Sequence, residues 1–291
     1  MFSIRPLTIT DIPAAMRLSS QAGWNQLEAD WKRLLDLYPT TCLGGWERDR
    51  LVVTGTLATY GTAVGWLGML LVDEACRGRG LGGAVFDAML ACADELGIDC
   101  LGLDATDLGR PVYLKRGFRD TCAINRWLRQ PSKQIQDSEP PSRLTGGGKA
   151  IITHLTSPVV GWVNEKTQVD RTALLEHIQS EHGVTTQVMI GPKQEPLGVA
   201  FIKPGRLADH VGPVVAETSA DACDLLEGVI RSYTSSDRSL FIDALAEDGF
   251  ENILGRMGFV VQRKLIRMMK PRPTLTLTTQ HVFAAASFEL G

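Results

Sequence analysis

The sequence lacks an excess of charge of one sign, a long apolar run and a pattern of paired cysteines. Its 30 lysines and arginines are balanced by 33 aspartates and glutamates, for a formal net charge of −3, which is not typical of a protein that binds nucleic acid or an acidic membrane. No stretch reaches the ~18 consecutive apolar residues of a membrane-spanning helix, and the first residues form no apolar signal segment. We therefore expect a cytoplasmic protein without a nucleic-acid or membrane partner.

Missing motifs also exclude two kinds of site. The six cysteines are scattered without a C-x-x-C pair or a neighbouring histidine cluster, which predicts free thiols in a reducing compartment and no metal site. Neither Gly-Lys-Ser nor Gly-Lys-Thr is present, so the chain has no Walker A loop for nucleoside triphosphates.

What the sequence does contain is a glycine-rich turn between an apolar run and a helical pattern. Residues 67–72 form the apolar run, residues 77–83 form the turn, and residues 84–96 have the apolar periodicity of a helix. Glycines let the backbone approach a phosphate closely, and the first N–H groups of a helix favour an anion. This layout predicts a site for a phosphorylated ligand. The G-x-G-x-x-G spacing from Gly78, with Asp104 about 20 residues after the turn, also fits a dinucleotide site, so the turn alone leaves the ligand open.

A second motif farther along the chain narrows the choice. The turn also contains R-x-x-G-x-G, beginning at Arg77, and residues 112–118 carry Tyr113 and end in Gly117-Phe118. These two motifs, in this order, resemble the GNAT family of N-acetyltransferases, which has such an acyl-CoA loop followed by a short helix with a tyrosine. The resemblance implies an α/β fold with a mixed sheet, acetyl-CoA as the acyl donor and no metal.

The resemblance also implies where CoA would lie. In this family two parallel strands splay apart and the pantetheine arm enters the gap, which here would separate residues 65–72 from residues 100–106. The backbone at Leu70 and Val72 would pair with pantetheine, and Thr106 takes the place where many members have an asparagine that touches the arm. The backbone amides of the turn would hold the pyrophosphate, and the turn consists of Arg77, Gly78, Arg79, Gly80, Leu81, Gly82 and Gly83.

Two side chains are candidates for proton transfer. Tyr113 lies five residues before Phe118, which is the spacing of the family's tyrosine that protonates the departing thiolate; the alternative is a tyrosine that packs on the sheet. Asp104 shares a strand face with Thr106 because side chains alternate along a strand, and it is a candidate general base. The alternative for Asp104 is a structural carboxylate held by the amides of residues 107–110, with a chain of waters in place of a single base.

The second half of the chain repeats the order of elements in the first. Residues 240–245 correspond to residues 101–106, and residues 253–259 correspond to residues 112–118, at an offset of about 140 residues. The glycine-rich turn has no counterpart, and the segment that replaces it contains Glu217, which would repel a pyrophosphate. The second half is therefore not expected to bind CoA.

These observations predict a tandem GNAT-like fold of two similar domains. Residues 1–130 would form the catalytic domain, and residues 131–148, rich in proline, serine and glycine, would form a linker. Residues 149–291 would form a degenerate domain that completes the acceptor site or provides an interface, with a homodimer as a further expectation.

The predicted activity is acetyl-CoA-dependent N-acetyl transfer. The acetyl group would move to a primary amine of a small molecule or peptide by direct attack within a ternary complex. The alternative is a non-catalytic acyl-CoA-binding regulatory module that kept the loop and lost turnover.

Overall fold

The computed structural model describes residues 1–131, 144–145, 149–233, 237–246, 249–271 and 280–291. Most of the predicted linker, residues 131–148, lies outside the described residues. The first half contains, in chain order, β1 (Phe2–Pro6), α1 (Ile12–Gln21), α2 (Glu28–Leu37), β2 (Cys42–Glu47), β3 (Arg50–Tyr60), β4 (Val64–Val72), α3 (Leu81–Glu95), β5 (Cys100–Ala105), α4 (Arg110–Leu114) and β6 (Arg119–Arg129).

The second half begins with two short strands and then follows the same order. Its elements are β7 (Leu144–Thr145), β8 (Lys149–Ile152), α5 (Ser157–Thr167), α6 (Thr172–Ser180), β9 (Thr185–Ile190), β10 (Pro196–Lys203), β11 (Asp209–Ala216), α7 (Ser219–Ser232), β12 (Leu240–Leu245), α8 (Phe250–Arg256), β13 (Val260–Pro271) and β14 (Val282–Ala284). The repeat of elements confirms that the two halves are similar, and the α/β class with a mixed sheet is also confirmed.

The described strands form one continuous sheet. Their order is β1-β2-β3-β4-β5-β13-β6-β12-β14-β11-β10-β9-β8-β7. Near the middle the two halves exchange strands: β13 of the second half pairs with β5, and β6 of the first half pairs with β12. Each half therefore contributes a strand to the sheet of the other. The domain limits at residues 130 and 149 stay predictions.

Helices cover both faces of this sheet, as is typical where interior strands are apolar on both sides. In β3, eight consecutive residues, 51–58, are buried. Helices α1, α2, α5 and α6 pack in one hydrophobic core that includes residues of both halves. Helix α3 packs in a second core through Val85, Phe86 and Met89, and helices α7 and α8 pack in a third.

Buried ion pairs join the halves in addition to the shared core. Arg33 of α2 donates to Glu181, beyond α6, at 2.6 and 2.7 Å, and its side chain is only 1% exposed. Arg126 of β6 donates to Asp243 of β12 at 2.7 and 2.6 Å. Burial would raise the pKa of Asp243, but Arg126 and His210 hold that pKa well below its usual range. Buried charged groups thus join the two halves.

Candidate active site

The first half has an open gap between two parallel strands. Strands β4 and β5 pair over three positions only, from Val64↔Cys100 to Trp66↔Gly102, and within the described part of the chain no strand lies between them beyond that point. The pairing of β4 with β3 shifts register at the same place, where Met69 has a left-handed backbone with φ of 48°. This bulge bends β4 away from β5 and opens the gap.

The backbone of β4 presents donors to the gap. The N–H of Asp73 donates to the carbonyl of Val52 in β3 at 2.8 Å. Because successive N–H groups of a strand point to opposite sides, the N–H groups of Val72 and Leu70 point away from β3 and toward the gap. This is the orientation that a ligand needs to pair with β4 as another strand would.

A cavity of about 120 Å³ opens inside the gap. Four of the residues predicted from the sequence line it together: Leu70, Asp104, Thr106 and Tyr113. Phe86 and Met89 of α3 form part of its apolar wall. The cavity therefore brings together residues that the sequence predicts for donor binding and for proton transfer.

The glycine-rich turn lies where β4 leads into α3. Gly78 and Gly80 have φ of 74° and 76°, a conformation that side-chain-bearing residues adopt at a cost. Gly80 is the N-cap of α3, no side chain caps that helix, and its first N–H groups have no intrahelical partner. A β-carbon on Gly82 would lie 2.9 Å from Cγ2 of Val72. The turn thus presents open backbone donors at a positive helix end, which suits a phosphate.

The two arginines of the turn are exposed and bonded locally. Arg77 donates from Nε to the carbonyl of Val72 at 3.3 Å and lies 3.5 Å from Glu74. Arg79 forms an ion pair with Glu47. Both guanidinium groups can reorient at low cost, because exposed ion pairs contribute little to stability.

Tyr113 is held by aromatic packing at the cavity. Its ring centroid lies 5.0 Å from that of Phe86 and 6.3 Å from that of Phe118. Burial raises the pKa of Tyr113 to about 12, so its hydroxyl is protonated at any physiological pH. Within the described ranges no residue forms a hydrogen bond with this hydroxyl, which leaves it available to a ligand.

Asp104 has a strong partner that the sequence did not indicate. Arg267 of β13 lies opposite Asp104 in the strand register and donates to both carboxylate oxygens at 2.9 Å. The Arg267 guanidinium also stacks on Trp66, 4.4 Å from the ring centroid. Burial raises the pKa of Asp104, and Arg267 opposes that rise. The amide of Gly109 donates instead to the Thr106 hydroxyl at 3.2 Å.

Sequence reasoning missed residues that the second half brings to the cavity. Glu289, from the segment after β14, and Arg263, from β13, line it beside Gln26 of the first half. Residues 280–291 contain no motif, and their contacts with the first half span more than two hundred positions of sequence, as in the bond from Trp66 Nε1 to the Phe288 carbonyl. Only the short apolar run at residues 282–286 could have indicated a buried strand there.

The described helices and side chains add two observations. None of the helices described is long and apolar enough to cross a membrane. Within the same residues, histidine, cysteine and acidic side chains form no group of three or more that could hold a metal ion.

Models of known protein families match both halves of the chain. The model of the GNAT acetyltransferase family matches residues 11–118, and that of a GNAT acetyltransferase domain matches residues 164–284. The chain belongs to the GNAT family. It is an acyltransferase of tandem organisation, and the predicted second GNAT-like domain is confirmed.

Individual relatives extend over almost the whole chain. A holothin acyltransferase from Pseudoalteromonas sp. (strain SANK 73390) is 24% identical over 270 residues, which is 92% of this chain and 87% of the relative. A candidate acetyltransferase from Pyrococcus horikoshii shares the fold with a TM-score of 0.79 at 19% identity, covering 100% of this chain and 96% of that one. A tandem GNAT protein from the clavulanic acid biosynthesis pathway has a TM-score of 0.64 at 15% identity, covering 95% and 100%.

Proposed function

We propose that this GNAT acyltransferase is an acetyl-CoA-dependent N-acetyltransferase that acts on a primary amine of a small molecule or peptide. The observation that supports the proposal is the cavity in the gap between β4 and β5, which is lined by Leu70, Thr106 and Tyr113. Residues 1–130 would hold acetyl-CoA and perform the chemistry, and residues 149–291 would complete the acceptor side. The predicted cytoplasmic location and homodimer remain expectations.

Acetyl-CoA would bind along β4 and across the glycine-rich turn. The pantetheine arm would pair with the N–H groups of Leu70 and Val72 that face the gap, and the Thr106 hydroxyl would lie beside it. The pyrophosphate would accept hydrogen bonds from the turn amides at residues 77–83, with the positive end of α3 behind them. Because this contact is made by backbone, its strength depends on the conformation of the turn more than on Arg77 or Arg79.

Acetyl transfer would then proceed by direct attack. The amine lone pair forms a C–N bond to the thioester carbonyl, whose oxygen gains negative charge and is stabilised by the Val72 N–H. The C–S bond breaks as the tetrahedral intermediate collapses, and Tyr113 gives its proton to the departing thiolate. The amine must lose a proton to become nucleophilic. Asp104 is the base predicted from sequence, but both of its oxygens are engaged by Arg267, so another group has to accept this proton.

Product analysis tests this function directly. The purified protein is incubated with acetyl-CoA and a panel of primary amines, namely tyramine, spermidine, ethanolamine and holothin, and the mixture is analysed by liquid chromatography and mass spectrometry. We expect one acetylated amine for each CoA released, with longer acyl-CoA donors transferred more slowly. Tight binding of CoA in calorimetry without any acylated product would contradict the proposed enzymatic activity. It would favour a regulatory acyl-CoA-binding module instead.

A further inference from the structure

The C-terminal segment, defined here as residues 280–291, runs from the second half into the first. It begins with β14, which pairs antiparallel with β11 at Val214↔Ala284 and Val215↔Val282 and also meets β12 at Ala244↔Ala284. The segment then continues to the cavity between β4 and β5.

Strand β14 occupies the gap that is the counterpart of the donor gap. Strands β11 and β12 pair in parallel over only three positions, Asp209↔Leu240 to Val211↔Ile242, just as β4 and β5 do. In the second half the space beyond that pairing is filled by β14. The fit is close, since a β-carbon on Gly212 would lie 2.1 Å from the Ala285 carbonyl oxygen. In the second half, therefore, β14 of the same chain occupies the gap.

Beyond β14 the C-terminal segment is fixed against the first half. Lys203, in β10 of the second half, donates to the Ala286 carbonyl. Two residues later Trp66 Nε1, in the first half, donates to the Phe288 carbonyl at 2.9 Å. A β-carbon on Gly68 of β4 would lie 2.6 Å from Cα of Glu289. These contacts hold Glu289 directly against the strand that forms one side of the donor gap.

The Glu289 carboxylate is buried and only lightly engaged. Glu289 is 3% exposed and lines the same cavity as Tyr113. Its Oε2 accepts one hydrogen bond, at 3.2 Å, from Nε2 of Gln26. Asp104 and Asp243 each form a salt bridge with an arginine. In the part of the chain described, Glu289 forms no salt bridge with any cation.

Polar groups without partners surround the same carboxylate. A second, smaller chamber shares Gln26, Arg126 and Glu289 with the main cavity and is also lined by Lys203, His210 and Ser287. Within the described residues, Gln26 Oε1, Ser287 Oγ and His210 Nδ1 are buried without a hydrogen-bond partner. Buried polar atoms of this kind cost stability unless water or a ligand satisfies them.

Building on the proposed function, we propose that Glu289, carried into the first half by the C-terminal segment, binds the acceptor amine and removes its proton. The primary ammonium gives one proton to the Glu289 carboxylate. The freed lone pair then forms the C–N bond. As the C–S bond breaks, Tyr113 gives its proton to the departing thiolate, and the second proton that the nitrogen must lose returns through water to the Tyr113 phenolate. The second half would thus supply the base that the first half lacks.

The electrostatic surroundings of Glu289 agree with this role. Burial raises the pKa of Glu289, as does nearby Asp30, while Lys203 and Arg33 oppose the rise. The charged and titratable groups that act on it are Asp30 and Arg33 of α2, Lys203 of β10, Arg126 of β6 and Tyr60 of β3. Asp104, Tyr113, Arg263 and His210 line the same two cavities. A carboxylate whose pKa lies above its usual range is a better match for proton exchange near neutral pH.

Glu289→Gln tests the proposal, with Glu227→Gln as its control. Glu227 lies on the exposed face of α7 with 47% of its side chain accessible, so its variant should keep wild-type activity. The probe is the panel amine with the highest turnover. At neutral pH we expect Glu289→Gln to lower kcat/KM for the amine about 100-fold, with unchanged calorimetric affinity for CoA. The deficit should shrink as the pH passes the pKa of the amine, because the free amine then needs no base.

The possible results separate the two proposals. Wild-type activity in Glu289→Gln, or a deficit that stays constant with pH, would overturn the role of Glu289 while leaving the acetyltransferase intact. Absence of product from wild-type protein would instead overturn the proposed function. If Glu289→Gln does not fold, Glu289→Asp replaces it, because this variant retains the charge. A loss of about tenfold in kcat/KM for the amine, with a wild-type pH profile, would support the proposal. Full activity of Glu289→Asp would contradict it.

Discussion

Asp104→Asn distinguishes a structural carboxylate from a catalytic one. Both oxygens of Asp104 accept from Arg267 at 2.9 Å, and the two side chains are 0% and 6% exposed. Removing one member of a buried ion pair leaves the other charge unpaired and costs roughly 3–5 kcal/mol. Because Arg267 lies on β13, the ion pair would be lost at the place where the two halves exchange strands. We therefore expect a large fall in the free energy of unfolding.

Urea unfolding, followed by tryptophan fluorescence, measures this change. The matched control is Asp120→Asn, whose partner Arg110 is exposed and whose loss should shift the urea midpoint far less. In a double-mutant cycle, Asp104→Asn and Arg267→Gln should be strongly non-additive. An Asp104→Asn variant as stable as Asp120→Asn would refute the buried ion pair. A stable but inactive Asp104→Asn variant would identify Asp104 as the base and remove that role from Glu289.

Three further predictions concern the proposed site. Tyr113→Phe should lower kcat about 100-fold by removing the acid, measured by CoA release, while calorimetry shows unchanged affinity for acetyl-CoA because the ring contacts remain. Gly68→Ala should displace Glu289 and lower kcat/KM for the amine by on the order of 100-fold in the same assay; Gly161→Ala, which has open space around it, is its control. Burial lowers the pKa of Lys203 from 10.5 to about 8, so the folded state binds fewer protons than the unfolded state between these values. Relative to Lys203→Met, wild-type stability should rise by about 3 kcal/mol across that pH range in urea unfolding.

Each of these predictions has a result that contradicts it. For Tyr113, equal losses of kcat and CoA affinity would indicate a packing role. For Gly68, a loss matched by Gly161→Ala would indicate a general effect of the substitution. For Lys203, a stability difference that stays flat or falls from pH 8 to 10.5 would mean that the buried amine remains charged.

The donor side of the site could be predicted from sequence because its determinants are local. The turn at residues 77–83 lies within one strand-turn-helix unit, and the spacing from Tyr113 to Phe118 lies within one short segment. The parallel pairing of β4 with β5 follows from the helix that connects them. Those predictions need no knowledge of distant partners.

The acceptor side could not be predicted because it depends on long-range pairing. The partner of Asp104 lies 163 positions later in the chain, and no spacing rule connects the two. The exchange of β6 and β13 is a property of the assembled sheet. Glu289 lies in a segment whose only strand, β14, has three residues, and its place against Gly68 is set by how β14 fits the second gap.

A crystal structure of the protein with bound CoA tests the central claim most directly. We predict that the pantetheine arm lies between β4 and β5, that the pyrophosphate contacts the amides of residues 77–83, and that β14 still fills the gap between β11 and β12. Density for CoA between β11 and β12 with β14 displaced, or outside the gap between β4 and β5, would contradict the account.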